Sequence, residues 1–215
     1  MARLIAIDGL DGSGKGTQAA LLKDYLAQTG RAARLLSFPT YQEPASSLVN
    51  LYLAGGLGDA PGDTGPYAAS AFFACDRYVS FRTDWRADYE KPDGIIIANR
   101  YTTANAVHQL SKLPKEQWDD FLAWLWDFEF EKLSLPAPDD VIYLEVPPEV
   151  SAALIDQRGN EKDIHEKSRQ FLENSYQAAL FCAEKLNWTR IKCTRDGKMR
   201  SREEIFEEIR RSLAL

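Results

Sequence analysis

Near the start of the chain, Ile5-Ala-Ile-Asp-Gly-Leu-Asp-Gly-Ser-Gly-Lys-Gly-Thr17 joins an apolar run to a helix-like segment through a turn rich in glycine. Gly9, Gly12 and Gly14 let the backbone approach a ligand closely and adopt dihedrals that a Cβ penalises, so successive N–H groups can face one anion. Lys15 adds a mobile positive charge, and a helix beginning there contributes its unpaired N-terminal donors. The stretch therefore reads as a polyphosphate cradle, with Gly9, Gly12, Ser13, Gly14, Lys15, Gly16, Thr17 and Gln18 as candidate nucleotide contacts. The strict pattern G-x-x-x-x-G-K-[ST] is missed by one position, because Gly16 stands where a metal-coordinating hydroxyl is usual and Thr17 follows it. Magnesium is then expected to be held partly through water.

The remaining pattern alternates strand and helix. Strands are expected at Leu4 to Asp8, Ala33 to Ser37, Ile95 to Ala98, Asp140 to Val146 and Thr189 to Cys193. Helices are expected at Lys15 to Thr29, Ser46 to Ala54, Tyr67 to Asp88, Glu149 to Arg158, Arg169 to Leu186 and Ser201 to Leu213, the last opened by a Ser201/Glu204 capping box. Lys115 to Leu133 carries aromatics at helical spacing, read as packing, and Gly55 to Gly65 reads as a loop. Continuous apolar strands separated by helices predict an α/β fold of three layers, a central parallel sheet flanked by helices. At 215 residues the chain is expected to form a single domain, 1–215, with a charged lid segment near 158–166.

With 26 basic against 32 acidic side chains the formal charge is −6, which argues against non-specific nucleic-acid binding and requires any anionic substrate to meet locally placed arginines. Cys75, Cys182 and Cys193 fit neither a zinc pattern nor a disulfide framework. No apolar run has the length that spans a bilayer, so no membrane partner and a cytoplasmic location are expected.

In an open parallel sheet ligands collect beyond the carboxyl ends of the strands. Asp8 and Asp11 flank Gly9 near the expected triphosphate, Asp8 as a candidate metal-water ligand and Asp11 as either a substrate contact or a solvated loop carboxylate. Phe73 and Arg77, four apart on a helix, share one face and suit a base and a phosphate respectively, although core packing and a surface charge remain their plainer roles. Arg100 follows four apolar residues and Asn99, and offers a planar, permanently charged fork to phosphate. Arg158 and Lys162 are suited to covering a polyphosphate. His108 and His165, far apart in the chain, read as substrate contacts or surface residues.

Taken together, Asp8 to Gln18, Phe38-Pro-Thr-Tyr41, Phe73-Ala-Cys-Asp-Arg77, Asn99-Arg-Tyr101, and Arg158-Gly followed by Asp163-Ile-His-Glu166 resemble the thymidylate kinase family of P-loop nucleoside monophosphate kinases. The resemblance implies a P-loop NTPase-like fold and phosphoryl transfer from ATP-Mg to thymidine 5′-monophosphate (dTMP). It implies catalytic roles for Lys15, Arg100, Arg158 and Asp8, with Asp8 also at the metal and Lys162 on the nucleotide. It further implies an acceptor site built from Asp11, Phe38, Pro39, Tyr41, Phe73, Arg77, Arg100, Tyr101, His108 and Gln109. In that site Phe73 stacks on thymine, Arg77 and Arg100 hold the monophosphate, and Asp11 lies near the 3′-hydroxyl. A homodimer packed through long helices is implied as well. The chain departs from the family at Asn99, where aspartate is usual, at Gly16, at Ala104 for serine, at His108 for an aromatic residue, and at Ile164 where an arginine often follows the aspartate. These departures keep two alternatives open: a related kinase for another nucleotide or deoxynucleoside, and a non-catalytic nucleotide-binding regulatory protein.

Overall fold

The computed structural model describes residues 1–158 and 162–215. In chain order the elements are β1 (Arg3–Gly9), α1 (Lys15–Gln28), β2 (Ala33–Ser37), α2 (Ser47–Leu53), α3 (Pro66–Ser80), α4 (Arg86–Tyr89), β3 (Ile95–Asn99), α5 (Thr102–Leu110), α6 (Trp118–Trp126), β4 (Asp140–Glu145), α7 (Pro148–Arg158), α8 (Arg169–Lys185), β5 (Thr189–Lys192), β6 (Thr194–Arg195), β7 (Lys198–Met199) and α9 (Arg202–Ser212). The main sheet has the order β2-β3-β1-β4-β5 and every neighbouring pair is parallel.

Each central strand is buried on both faces, which is why its sequence is apolar without a break. Successive side chains alternate between faces. Ile5, Ile7, Ile95, Ile97, Ile142 and Leu144 pack against α1 through Leu22 and Leu26 and against α9 through Ile205 and Ile209. On the other face Leu4, Ala6, Ile96 and Ala98 meet Phe81, Trp85 and Tyr101, while Tyr143 meets α5, α6 and α8. Burying such a side chain is worth about 1.5–3 kcal/mol, so the α/β layering follows from the pattern itself.

Three features depart from the expected elements. The helical rod foreseen over Tyr67 to Asp88 is interrupted by a π-helical turn at Phe81–Trp85, and the second aromatic stretch likewise passes from α6 into π-helix at Asp127–Lys132. A short antiparallel hairpin, β6 with β7, leads into α9, whose Ser201/Glu204 capping box is present. No helix among the described residues is long and apolar enough to cross a membrane.

The register sets the site. Ile7 and Ser37 both pair with Asn99, and Gly9 pairs with Leu144, so four parallel strands end at one edge. The chain leaves that edge through the glycine-rich loop, Phe38 to Tyr41, Arg100-Tyr101 and α7.

Candidate active site

Beyond those strand ends lies a cleft of about 600 Å³. Its floor is the glycine-rich loop. Gly9 lies where a Cβ would stand 2.6 Å from Ser13 Oγ and 2.7 Å from the Leu144 carbonyl, so only glycine fits there. Gly14 opens α1 at φ 87 and no side chain caps that terminus, whereas Ser168 and Ser201 cap α8 and α9. The start of α1 thus carries no capping side chain at the place where helix N-terminal donors favour an anion. Lys15 is folded onto the loop, its Nζ donating to the carbonyls of Gly9 (2.9 Å) and Leu10 (2.8 Å). Gly12, Gly14, Lys15, Gly16 and Thr17 all line the cleft. Gly16 is not required by packing, since a Cβ there would meet only Asn99 Nδ2, at 3.7 Å.

Arg100 directs its side chain into this floor from a left-handed backbone position, φ 66. Such a conformation costs a non-glycine residue about 1–2 kcal/mol, and it is held by the Arg100 N–H donating to the Ile7 carbonyl at 3.0 Å. Its guanidinium donates to Asp11 and to His108 Nε2 (3.0 Å) and stands 3.8 Å from Asp8. Burial alone would raise the Asp11 carboxyl, but Arg100 and Lys15 outweigh it and hold Asp11 well below the usual carboxylate range. Burial would likewise lower the Arg100 pKa, yet Asp11 and Asp8 raise it above its ordinary value.

On the acceptor side, Phe73 lines the cleft with its ring edge-to-face on Tyr52. The loop after β2 is tied to α3 by buried Asp76, which accepts from the Thr40 N–H (3.0 Å), the Thr40 hydroxyl and the Ser46 hydroxyl. The next residue, Arg77, is 2% exposed and paired with Glu129 through Nε and Nη2. Glu129 also accepts from Thr102 Oγ1 (2.6 Å) and Asn105 Nδ2 (3.0 Å). The charge of Arg77, expected to hold the monophosphate, is thus matched by Glu129, and Nη1 is the guanidinium nitrogen outside that pair.

His108 and His165 come together, stacked with ring centroids 5.5 Å apart, and both are buried rather than on the surface. Because arginine only donates, His108 Nε2 must accept from Arg100, which places the proton on Nδ1; that buried atom has no partner. Burial, with Arg100 and His165 facing it, keeps the His108 pKa well below its ordinary value. His165 Nε2 bonds Tyr52 Oη at 2.7 Å, and Lys112 Nζ donates to the same hydroxyl at 2.9 Å. Burial lowers His165 to about 3, reinforced by Lys112, and lowers Lys112 to about 7. Asp163, pushed up to about 6 by burial despite accepting the Glu166 N–H, caps the turn that carries His165.

The other expected site residues divide. Phe38, Pro39, Tyr41 and Gln109 line the cleft, and both side-chain polar atoms of buried Gln109 lack a partner. Tyr101 lines it too, but its hydroxyl is spent on the Pro136 carbonyl (2.9 Å) and its ring belongs to the core. Among the described residues Asp8, Gly9, Ser13, Gln18 and Lys162 do not line it. Ser13 is buried beneath the loop, and Gln18 donates to the Arg202 carbonyl at 3.1 Å. Asp8 accepts from the Gly9 N–H (2.8 Å) and Thr103 Oγ1 (2.6 Å), because it lies under the turn. Lys162 is paired with Asp156 on the surface. Arg158 ends α7 and its side chain lies outside the described residues, as do residues 159–161 of the expected lid.

Among the described residues no group of three or more His, Cys, Asp or Glu side chains could hold a metal alone. One donor nonetheless suits a hard cation: Asn99 Oδ1, buried and without a partner, on a cleft-lining residue whose Nδ2 donates to Ser37 Oγ at 3.0 Å.

Sequence reasoning had assigned no site role to Ser37, Leu53, Asn105, Leu154, Asp163, Glu166 or Arg202, all of which line the cleft, as does His165, one of whose two expected roles was a substrate contact. For Asn105 a signal was present, since Ala104, Asn105, His108 and Gln109 fall at i, i+1, i+4 and i+5 on one helical face.

The family model described as "Thymidylate kinase" matches residues 7–205, nearly the whole chain. The chain belongs to the thymidylate kinase family. A thymidylate kinase of Mycobacterium tuberculosis (strain H37Rv) is 32% identical over 69% of this chain and 68% of its own length. A probable thymidylate kinase of Saccharolobus solfataricus is 27% identical over 91% of each chain. A solved thymidylate kinase structure from Candida albicans, 22% identical, covers 99% of this chain and 91% of its own with a TM-score of 0.72, and so shares the fold. This is a phosphotransferase family, and membership agrees with the cradle, the parallel sheet and the cleft described above.

Proposed function

We propose that this chain transfers the terminal phosphoryl group of ATP to dTMP, giving the diphosphate and ADP. The observation that carries this reading is one cleft lined both by the glycine-rich loop with Lys15 and by Phe73, Arg77, Arg100 and Asn105. The family match supports both substrates.

Phosphoryl transfer needs in-line oxygens, charge compensation and exclusion of water rather than a protein nucleophile. Lys15 and the α1 N-terminus are suited to the ATP phosphates. Arg100, kept charged beside Asp11, is suited to the acceptor phosphate. Phe73 offers an apolar face to the base. The Arg77 donor beside the Asn105 oxygen complements a base edge that presents a carbonyl next to an N–H, as thymine does. The neutral, matched Arg77–Glu129 pair favours this assignment over the phosphate role first expected of Arg77. Magnesium, when bound, neutralises phosphate charge as it moves; Asn99 Oδ1 is the side-chain atom fitted to hold it, directly or through water, with Asp8 orienting the loop from beneath. A homodimer is supported by exposed Leu48 and Leu51 on α2 and Tyr78 and Val79 on neighbouring α3, which a second copy would cover.

Coupled ADP-release assays across the thymidine, uridine, guanosine, cytidine and adenosine monophosphates, in deoxy and ribo forms, test the assignment. Preferred turnover of dTMP is expected, and a folded, magnesium-replete protein that phosphorylates none of them would refute it.

A further inference from the structure

We propose that Glu129, which does not line the cleft, is the positioning residue that sets acceptor selection, by holding the cleft-facing edges of Arg77 and Asn105 in register. This rests on the reading that those two side chains face the acceptor base.

Glu129 is fully buried and each of its oxygens accepts twice. Oε2 takes Arg77 Nε at 2.8 Å and Thr102 Oγ1 at 2.6 Å; Oε1 takes Arg77 Nη2 and Asn105 Nδ2 at 3.0 Å. The acceptor capacity of the carboxylate is therefore filled. A bidentate pair fixes the plane of a guanidinium, so Nη1, the nitrogen outside the pair, is left with one orientation. Asn105 Nδ2 also donates to the Ser70 carbonyl at 3.1 Å. Both amide hydrogens are thus committed, and the amide oxygen is the group that remains available. One carboxylate in this way presents a donor on α3 and an acceptor on α5, two elements that otherwise have independent side-chain freedom.

A buried ion pair is a poor stabiliser compared with packed apolar side chains, so stability does not account for this one, whereas fixed geometry does. Its backbone setting agrees. Glu129 lies in the π-helical stretch Asp127–Lys132, where Asp127, Glu131 and Lys132 stay exposed while Glu129 alone is buried. The wider turn alters the register that α6 would otherwise continue and brings an acidic side chain inward. π turns of this kind are frequent at functional sites.

The test is calorimetric titration of dTMP, dCMP and ATP, separately, into wild type, Glu129→Gln and Glu129→Asp. E129Q places an N–H₂ against a donor and breaks the register; E129D keeps the charge in the core but withdraws it by one methylene, so it reports on geometry even where E129Q does not fold. In both, dTMP affinity is expected to fall by about tenfold or more, the loss of one well-placed polar contact. The preference for dTMP over dCMP should shrink, while ATP affinity stays within about twofold, a split that general loosening of the fold does not produce. An unchanged dTMP-to-dCMP ratio in folded E129D overturns the proposal, as does equal weakening of ATP and dTMP. A wild type that binds another monophosphate in place of dTMP would refute the acceptor assignment instead; the two variants would then still have to weaken that ligand and spare ATP for the role of Glu129 to stand.

Discussion

Replacing Arg100 by alanine is expected to separate two consequences of one guanidinium. The first is functional. A charge-assisted contact to phosphate contributes about 1.5–3 kcal/mol, and about 1.4 kcal/mol is a factor of ten, so dTMP should bind some tenfold to a hundredfold more weakly while ATP changes by less than about twofold. The second is structural. Arg100 and Asp11 have side chains only 17% and 15% exposed, and Lys15 stands 3.9 Å from the same carboxylate. Stranding a fully buried charge costs about 3–5 kcal/mol; with Lys15 still near and both side chains partly exposed, R100A should lose less, about 2 kcal/mol of stability. The sign with pH follows from Asp11, whose folded pKa is depressed. Its stabilisation is fully present above the ordinary carboxylate value and is lost as pH falls through the folded one, so the gap between wild type and R100A should be widest near neutrality and close in acid. Adding Asp11→Asn removes the stranded charge: R100A/D11N should regain stability but not dTMP affinity. Denaturant unfolding at several pH values and separate titrations of the two ligands decide it. R100A that binds dTMP within about twofold of wild type, equal loss for ATP, or recovered dTMP binding in the double variant would refute the reasoning.

Lys15→Ala should lower turnover by on the order of 10²–10³, as for other lost donors to a developing anion, with Tm changed far less; unaltered steady-state turnover in the folded variant would contradict the cradle assignment. Asn99→Asp should raise apparent magnesium affinity, because the position carries an unpartnered oxygen at the cleft, and activity against free magnesium at saturating nucleotides measures it; identical curves would remove residue 99 from the metal shell. Lys112 is held at about 7, below its ordinary 10.5. The unfolded chain therefore keeps that proton to higher pH, and stability should rise between about 7 and 10.5. Lys112→Met should flatten that rise in thermal unfolding followed against pH, and a rise of the same size in the variant would assign it to other groups.

What could be read from the order of residues was local. The cradle is contiguous, so its glycines, its lysine and the uncapped start of α1 follow from neighbouring residues. The strands are continuous apolar runs because both faces are covered, and the Ser201/Glu204 box closes within four residues. Tertiary structure decided the rest by bringing distant charges into low-dielectric contact. Arg77 and Glu129 are separated by 52 residues and Arg100 and Asp11 by 89, and nothing near either arginine reveals whether its charge will be free or matched. His108 and His165 looked unrelated until α5 and the Asp163-capped turn stacked them. Asp8 looked like a metal ligand by position, but the Thr103 hydroxyl, 95 residues away, claims one of its oxygens. The two π turns were equally hidden, since the pattern of apolar residues marks a helical stretch but the extra residue per turn depends on which side chain the surrounding core accepts. Function class was thus written in local backbone chemistry, whereas the division of labour among the cleft residues depended on pairings between elements that only the packed fold makes neighbours.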